Sequence, residues 1–278
     1  MSGSISEARL ADLVTAHPDA ARVLERFGLD FCCGGAATLA AACDERGIDP
    51  AEVEAALNEV GEPNPADWST MGVGELVDHL EATHHAFLRV ELDHLQRLVD
   101  KVEAVHGDRH HELAEVHATF IDLRADLEPH LLKEERVLFP MIRELAAATE
   151  PPAFHCGSLR NPISVMMREH DRAGELLGRL RTLTDGYTPP SDSCASYRAL
   201  YDGLGRLEAD THLHVHKENN LLFPAVVAME RGLPTPRTGP IHIPTGAVIR
   251  PSTRERAGRS GTHDARAGQS SSPTQSVI

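Results

Sequence analysis

The sequence predicts an all-α protein: an antiparallel four-helix bundle preceded by a small helical N-terminal domain. Three observations carry that expectation. Aromatic residues make up only 4% of the 278 residues, while Ala and Leu abound, a composition that favours helices over sheets. Four long stretches between residues 74 and 231 repeat apolar residues at helical spacing. Breaks rich in Gly and Pro separate these stretches by short connections, so successive helices must run back alongside one another.

The first element to justify is the N-terminal domain, residues 1–61. Ser6 is placed to cap a helix carrying Leu10, Leu13 and Val14. Pro18 opens the next, with Val23, Leu24 and Phe27 on its apolar side and Gly28 as its stop. A loop over 29–35 contains Cys32-Cys33-Gly34-Gly35. A third helix runs from about Thr38 to Gly47, and Asp49-Pro50 starts a fourth that ends near Val60. A polar, Pro-rich linker follows over 62–71. The bundle then occupies 72–233, its segments spanning about 74–105, 109–148, 161–184 and 194–231. From 234 to 278 the composition turns to Pro, Gly, Ser, Thr and Arg without any period, which predicts a disordered tail. Six arginines there oppose Glu255 and Asp264, giving the tail +4 and the remainder −19 within a total of −15.

A chain this acidic repels phosphate backbones, which excludes nucleic acid as a partner. No apolar run approaches the ~20 residues of a membrane helix, and the start lacks a signal-peptide pattern, so a soluble, cytoplasmic protein is expected. Five cysteines, odd in number and unevenly spaced, do not form a secreted disulfide framework. The sequence leaves the assembly state open, with a homodimer as the candidate oligomer.

The strongest chemical signal is an internal repeat. Segment two contains His130-x3-Glu134-x4-Phe139-Pro140, and segment four contains His214-x3-Glu218-x4-Phe223-Pro224. Residues i and i+4 share one helix face, so each His–Glu pair points at a common spot. Both pairs sit inside apolar stripes: Leu123, Leu127, Val137, Leu138 and Met141 in one, Leu204, Leu207, Leu221 and Leu222 in the other. A buried carboxylate without a partner costs several kcal/mol, and a metal removes that penalty. Segment one places His84 among Leu76, Val77, Leu80, Phe87 and Leu88. Segment three places His170 among Ile163, Met166, Met167, Ala173 and Leu177. The stripe selects His84; His85 lies one residue off it, and adjacency alone does not separate the two.

Six inward ligands exceed what one tetrahedral zinc takes. Four imidazoles and two carboxylates suit two divalent ions, and this donor set favours iron. The expected site is therefore a non-haem di-iron pair, oxo- or hydroxo-bridged. His84, His130, His170 and His214 serve two to each ion, and Glu134 and Glu218 bridge them. Spacing does not fix which histidine joins which ion. A ferritin-like site needs Glu-x-x-His on two helices; Glu81-x-x-His84 supplies one, but Met167 stands where the other glutamate should be. His212 and His216, about 160° around the wheel from His214, are expected to be solvated. So are His79, His94, His106, His110, His111 and His117. Cys32 and Cys33 precede a helix start, where dipole and free N–H groups lower a thiol pKa, and are candidate reactive or metal-handling thiols. Cys43 reads as core; Cys156 and Cys194 have no assigned role.

Together, Phe27-Gly-Leu-Asp-Phe-Cys-Cys-Gly-Gly35, Glu169-His170-Asp-Arg-Ala-Gly-Glu175 and Glu218-Asn-Asn-Leu-Leu-Phe-Pro224 resemble the RIC family (repair of iron centres, ScdA/YtfE type) over roughly 5–231. Paired H-x3-E motifs are common to hemerythrin-like domains; the Cys-Cys-Gly-Gly module joined to them is more specific. The resemblance implies a cytoplasmic bacterial di-iron protein that restores iron–sulfur clusters damaged by nitric oxide or peroxide in nitrosative and oxidative stress. It implies the same six ligands, action of Cys32 and Cys33 on iron or nitric oxide, and damaged iron–sulfur proteins and small gases (NO, O2) as partners. Two features depart from the pattern: Pro129 ahead of His130, expected to kink the helix, and the tail after 234. The leading reading is iron donation to damaged clusters. Its rivals are nitric oxide reduction at the iron pair and a hemerythrin-like O2/NO sensor.

Overall fold

The structure, a computed structural model, describes residues 5–60, 66–149 and 152–232. The first part of the expected linker, 62–65, and the expected tail, 234–278, lie outside the described residues. In the N-terminal domain α1 spans Leu10–Ala16, α2 Ala20–Arg26, α3 Leu39–Arg46 and α4 Pro50–Glu59. Local chemistry sets these bounds. The Thr38 side chain accepts a hydrogen bond from the Ala41 amide and Asp49 accepts one from Ala51, satisfying N–H groups that the first turn leaves free. Gly28 and Gly47 end α2 and α3 at φ of 66° each, a left-handed conformation that costs glycine nothing. Ser6 does not cap α1: a separate 3-10 turn covers Ile5–Glu7, and the Ser6 hydroxyl donates to Glu54 instead. Leu10, Val14, Leu24, Phe31, Leu39, Cys43 and Val53 fill the core.

The bundle has four arms. The first joins α5 (Val73–Leu80) to α6 (Ala86–His106), and the second joins α7 (Glu112–Lys133) to α8 (Phe139–Ala147). The third is α9 (Arg160–Leu183); the fourth joins α10 (Ala195–Lys217) to α11 (Phe223–Glu230). Helix α6 packs on α7 and α10, and α9 packs on the same two, closing the ring. Helix α7 runs unbroken through Pro129 to Lys133.

Three of the arms contain one widened π turn, at Glu81–His85, Glu134–Leu138 and Glu218–Leu222. In each, the next amide bonds five residues back: Ala86 to Glu81, Phe139 to Glu134 and Phe223 to Glu218. Such turns gather at functional sites. Two have a visible cause in the Phe-Pro pairs. Proline has no N–H to give, and its ring clashes with the carbonyl four residues earlier, so the helix relaxes by opening the turn before it. In the third, the Thr83 hydroxyl donates to the His79 carbonyl at 2.6 Å, a competing bond of the kind that loosens a helix. Each π turn advances the inward face by one residue. Val137 is therefore 44% exposed although the stripe expected it inside. Met167 is also a stripe residue that faces out, at 43%.

The apolar interior is split in two. One cluster, including Leu92, Leu95, Phe120, Leu123, Leu177 and Leu204, fills the end near the α6–α7 connection. The other, including Leu76, Leu80, Phe139, Ile142, Ile163 and Val226, fills the opposite end. A polar layer lies between them. The N-terminal domain docks on α10 beside that layer, taking Val215 into its own core.

Candidate metal centre

The polar layer is built by His85, His130, Glu134, His170, His214 and Glu218, all with at most 3% of their surface exposed. Their ligand atoms fall into two groups, His85–His214 and His130–His170, and both groups include Glu134 and Glu218. Glu134 lies 3.4 Å from His85 Nε2 and 3.3 Å from His130 Nε2. Glu218 lies 3.1 Å from His170 Nε2 and 3.2 Å from His214 Nε2. Each carboxylate thus reaches one histidine of each group, which is how a bridging ligand behaves. These contacts group His85 with His214 and His130 with His170.

Three tests show that these residues fit metal ions. All four carboxylate oxygens of Glu134 and Glu218 are buried without a hydrogen-bond donor; buried acceptors are rarely left so. Second, the Nδ1 atoms of His85, His130 and His170 face Glu135, Glu169 and the Asn219 side-chain oxygen at 2.7, 2.9 and 2.9 Å. These partners accept, so Nδ1 carries the proton and the Nε2 lone pair points inward. Third, the inward nitrogens approach pairwise at 3.3 Å (His85–His214) and 3.2 Å (His130–His170), with nothing but a proton or a cation to reconcile them.

The charge balance agrees. Burial and the neighbouring Glu218 both oppose ionisation of Glu134, yet His130 and His85 outweigh them and lower its pKa. Burial opposes ionisation of Glu218 too, and His214 and His170 hold it well below the usual range. Burial, the largest single effect, pulls His130 down, but Glu134, Glu218 and Glu169 together outweigh it and lift its pKa to about 9. Glu169 stays charged against its own burial, held by Lys133 and His130.

His84, the ligand expected from the stripe, is not among the six. Its Nδ1 donates to Asp210 at 2.9 Å and its Nε2 accepts from the Lys217 ammonium at 2.7 Å, so neither nitrogen is free for a metal. Burial lowers its pKa to about 4. The ring lies parallel to His214 at 5.4 Å, a support for a ligand. The π turn at Glu81–His85 is the reason: it carries His85 onto the inward face. His216 is another correction. It is fully buried, edge-on to Phe31 and Trp68, and burial takes its pKa to about 4. The N-terminal domain covers it, a contact that no helical wheel shows. Lys217 is likewise buried and lies over the Trp68 ring; burial lowers its pKa to about 8.

Cys32 and Cys33 sit in a loop, not at a helix start. Asp30 shapes that loop by accepting from the amides of Cys32 (3.0 Å), Cys33 (2.9 Å) and Gly34 (2.9 Å). The expected lowering of a thiol pKa fails at Cys32: its contact with Cys33, burial and the Asp30 charge all raise it. A side chain at Gly35 would put Cβ 2.4 Å from the Phe31 carbonyl and 2.9 Å from Asn220 Oδ1, so only glycine permits this approach to the bundle. Asn220 donates to the Cys32 carbonyl at 3.0 Å. Asn219, which holds His170, has its amide 3.9 Å from Cys33 Sγ. The thiol loop therefore lies one side chain away from a ligand of the centre. Sequence reasoning missed Asp30, Glu135, Glu169 and Asn219. Three of these four adjoin a ligand in the chain, which is the signal that was available.

Comparison with known proteins decides the family. Residues 76–226 match the hemerythrin HHE cation-binding domain, and residues 6–61 match a domain described as one of unknown function, ScdA_N. An iron–sulfur cluster repair protein YtfE from Musicola paradisiaca is 40% identical over 229 residues, covering 81% of this chain and 98% of that protein. A probable iron–sulfur cluster repair protein from Haemophilus influenzae is 36% identical over 230 residues, with the same coverage. The Escherichia coli O157:H7 YtfE protein is 35% identical over 222 residues, 80% of this chain and 97% of its own. The chain belongs to the ScdA/YtfE family of iron–sulfur cluster repair proteins. Within that family fold, the cation-binding match spans every residue of the polar layer and the ScdA_N match spans the cysteine loop docked beside it. Among the described residues no helix is long and apolar enough to cross a membrane.

Proposed function

We propose that this protein repairs iron–sulfur clusters damaged by nitrosative or oxidative stress, and that it does so by supplying iron from a pair of ions held in the polar layer. One observation carries the reading: two His–His groups share the same two glutamates, whose four oxygens are buried without donors. His85 and His214 would hold one ion and His130 and His170 the other, with Glu134 and Glu218 within reach of both. Imidazole and carboxylate together suit iron, which contributes redox chemistry and affinity for diatomic gases when bound. The chain's own contribution is positioning. Glu135, Glu169 and Asn219 hold the rings by Nδ1 so that Nε2 is the atom offered to a metal, and the apolar clusters on either side keep bulk water away. The names of the relatives at 35–40% identity support repair as the task.

Cys32, Cys33 and Asp30 offer three ligand atoms within 4.8 Å of one another. In this reading they receive iron, or a nitrosyl group, on its way between the centre and a client. Cys33 would be the thiol nearest to His170, since Asn219 touches both side chains. The reading places the protein in the cytoplasm, where its thiols stay reduced and its clients are damaged iron–sulfur proteins. The test is direct. Iron-loaded protein incubated with a nitrosylated [4Fe–4S] enzyme should restore that enzyme's activity while losing iron; no recovery with iron fully bound would sink the donor role.

A second reading, nitric oxide reduction at the centre, is favoured by one observation. A small cavity lined by Leu127, Ala173, Thr211 and Val215 reaches His130, His170 and His214, with room for about one water-sized molecule. That admits a diatomic gas and excludes organic substrates. Gas analysis of a single turnover separates the two: nitrous oxide supports reduction, and its absence leaves donation.

A further inference from the structure

The end of the bundle remote from the metal layer carries a second cluster of reactive side chains. Cys194 is exposed and directly precedes α10. His106, the last residue of α6, is 6% exposed and places Nε2 3.2 Å from Cys194 Sγ. Arg109 lies 3.2 Å from the other ring nitrogen, Nδ1. A guanidinium can only donate, so Nδ1 must accept, and the ring proton sits on Nε2, aimed at the sulfur. Tyr197 holds the imidazole edge-on, at 5.4 Å between ring centres. The backbone amides of Tyr197 and Ser196 in the first turn of α10 also face the sulfur, and Lys101 adds positive charge. Two acidic residues of this end are paired: Asp192 with His110 at 3.2 Å and Arg109 at 3.7 Å, and Glu112 with His110 at 3.1 Å. In consequence the Cys194 pKa falls below its ordinary value, chiefly through the Tyr197 amide.

This is the environment that makes a thiol a nucleophile: an imidazole donor of fixed tautomer, a helix N-terminus and a nearby lysine. None of it belongs to the metal centre. At 1.5 Å per residue along α10, Cys194 lies about 30 Å from His214.

We propose that Cys194 and His106 form a reactive thiol site that undergoes thiol–disulfide exchange with small anionic disulfides of the glutathione type. The Cys194 thiolate attacks one sulfur of the disulfide. A new S–S bond forms to Cys194 as the old one breaks, and the departing thiolate carries off the electron pair. The small disulfide is itself the oxidant, so the step balances. Lys101 and Arg109 attract its carboxylates, and the His106 N–H holds the attacking sulfur as an anion. The product is a mixed disulfide on Cys194 with Cys32 and Cys33 unchanged.

The test uses the full chain and oxidised glutathione at neutral pH, with the modified cysteine mapped by peptide mass. Cys194 should acquire the adduct first, faster than in the same chain unfolded in urea. Cys194→Ser should abolish that adduct. His106→Phe, which keeps an aromatic ring on Tyr197 but lacks the N–H, should slow it roughly fivefold or more. Arg109→Ala frees the other tautomer and should slow it as well; Arg109 is exposed, so this variant decides the matter if the first does not fold. Equal rates in the native and unfolded chains, or no change in either variant, would overturn the proposal.

Discussion

Asn219 accepts a hydrogen bond from Nδ1 of His170 at 2.9 Å. That bond leaves the opposite nitrogen of the ring unprotonated and directed at Glu218, 3.1 Å away. Partners of this kind set the affinity of a metal site as well as its shape, typically by 10–100-fold. Asn219→Ala should therefore weaken binding of one of the two metal ions by about 10–100-fold and leave the other nearly unchanged. Chelator competition, followed by the metal retained per chain, reads this out. Glu169→Gln should act on the same ion, because His130 and His170 share it.

The two adjacent histidines provide a sharper contrast. His85→Ala removes a ligand and should cost one bound metal per chain. His84→Ala should retain both, since Asp210 and Lys217 occupy its two nitrogens. Its cost falls on stability instead, because Lys217 loses a buried partner, at about 1–3 kcal/mol. Metal content and thermal melting of the two variants separate the roles.

That contrast also shows what could be read from the chain. The duplicated His-x3-Glu spacing pointed to four of the six residues that the fold gathers in the polar layer, and His170 followed from its place on an apolar stripe. His85 was hidden because a wheel drawn at 3.6 residues per turn assumes a regular helix, and the π turn at Glu81–His85 breaks that assumption. Val137 was misplaced for the same reason. His216 failed for a different one: its burial comes from Phe31 in another domain, a long-range contact with no local signature. The helix bounds of the N-terminal domain were legible through Thr38, Gly47, Asp49 and Pro50, because capping is chemistry between neighbours in the chain.

Metal uptake should be proton-linked. In the metal-free pocket His130 has its pKa lifted to about 9, so near neutral pH it carries a proton that a metal must displace. Apparent affinity should thus rise with pH toward 9, and titrations in buffers of different ionisation enthalpy should show proton release. For the metal-free fold the sign is the reverse. The folded pKa exceeds the unfolded value near 6.5, so this stabilisation is fully present below about 6.5 and fades as pH rises through 9. Melting of the metal-free protein across that window checks it.

Gly35→Ala should destabilise the chain by roughly 1–3 kcal/mol. The added carbon meets the Phe31 carbonyl at 2.4 Å and Asn220 at 2.9 Å, so the cysteine loop must retreat from the bundle. Denaturant melting measures the loss. Faster alkylation of the normally buried Cys32 would locate it at this loop.

The central claim is a pair of irons held by His85, His130, Glu134, His170, His214 and Glu218. Iron content together with a Mössbauer spectrum of the full-length protein tests it most directly. The account predicts two irons per chain, appearing as a coupled pair that is lost in Glu134→Ala. One mononuclear ion, or a single tetrahedral zinc that survives the substitution, would contradict it.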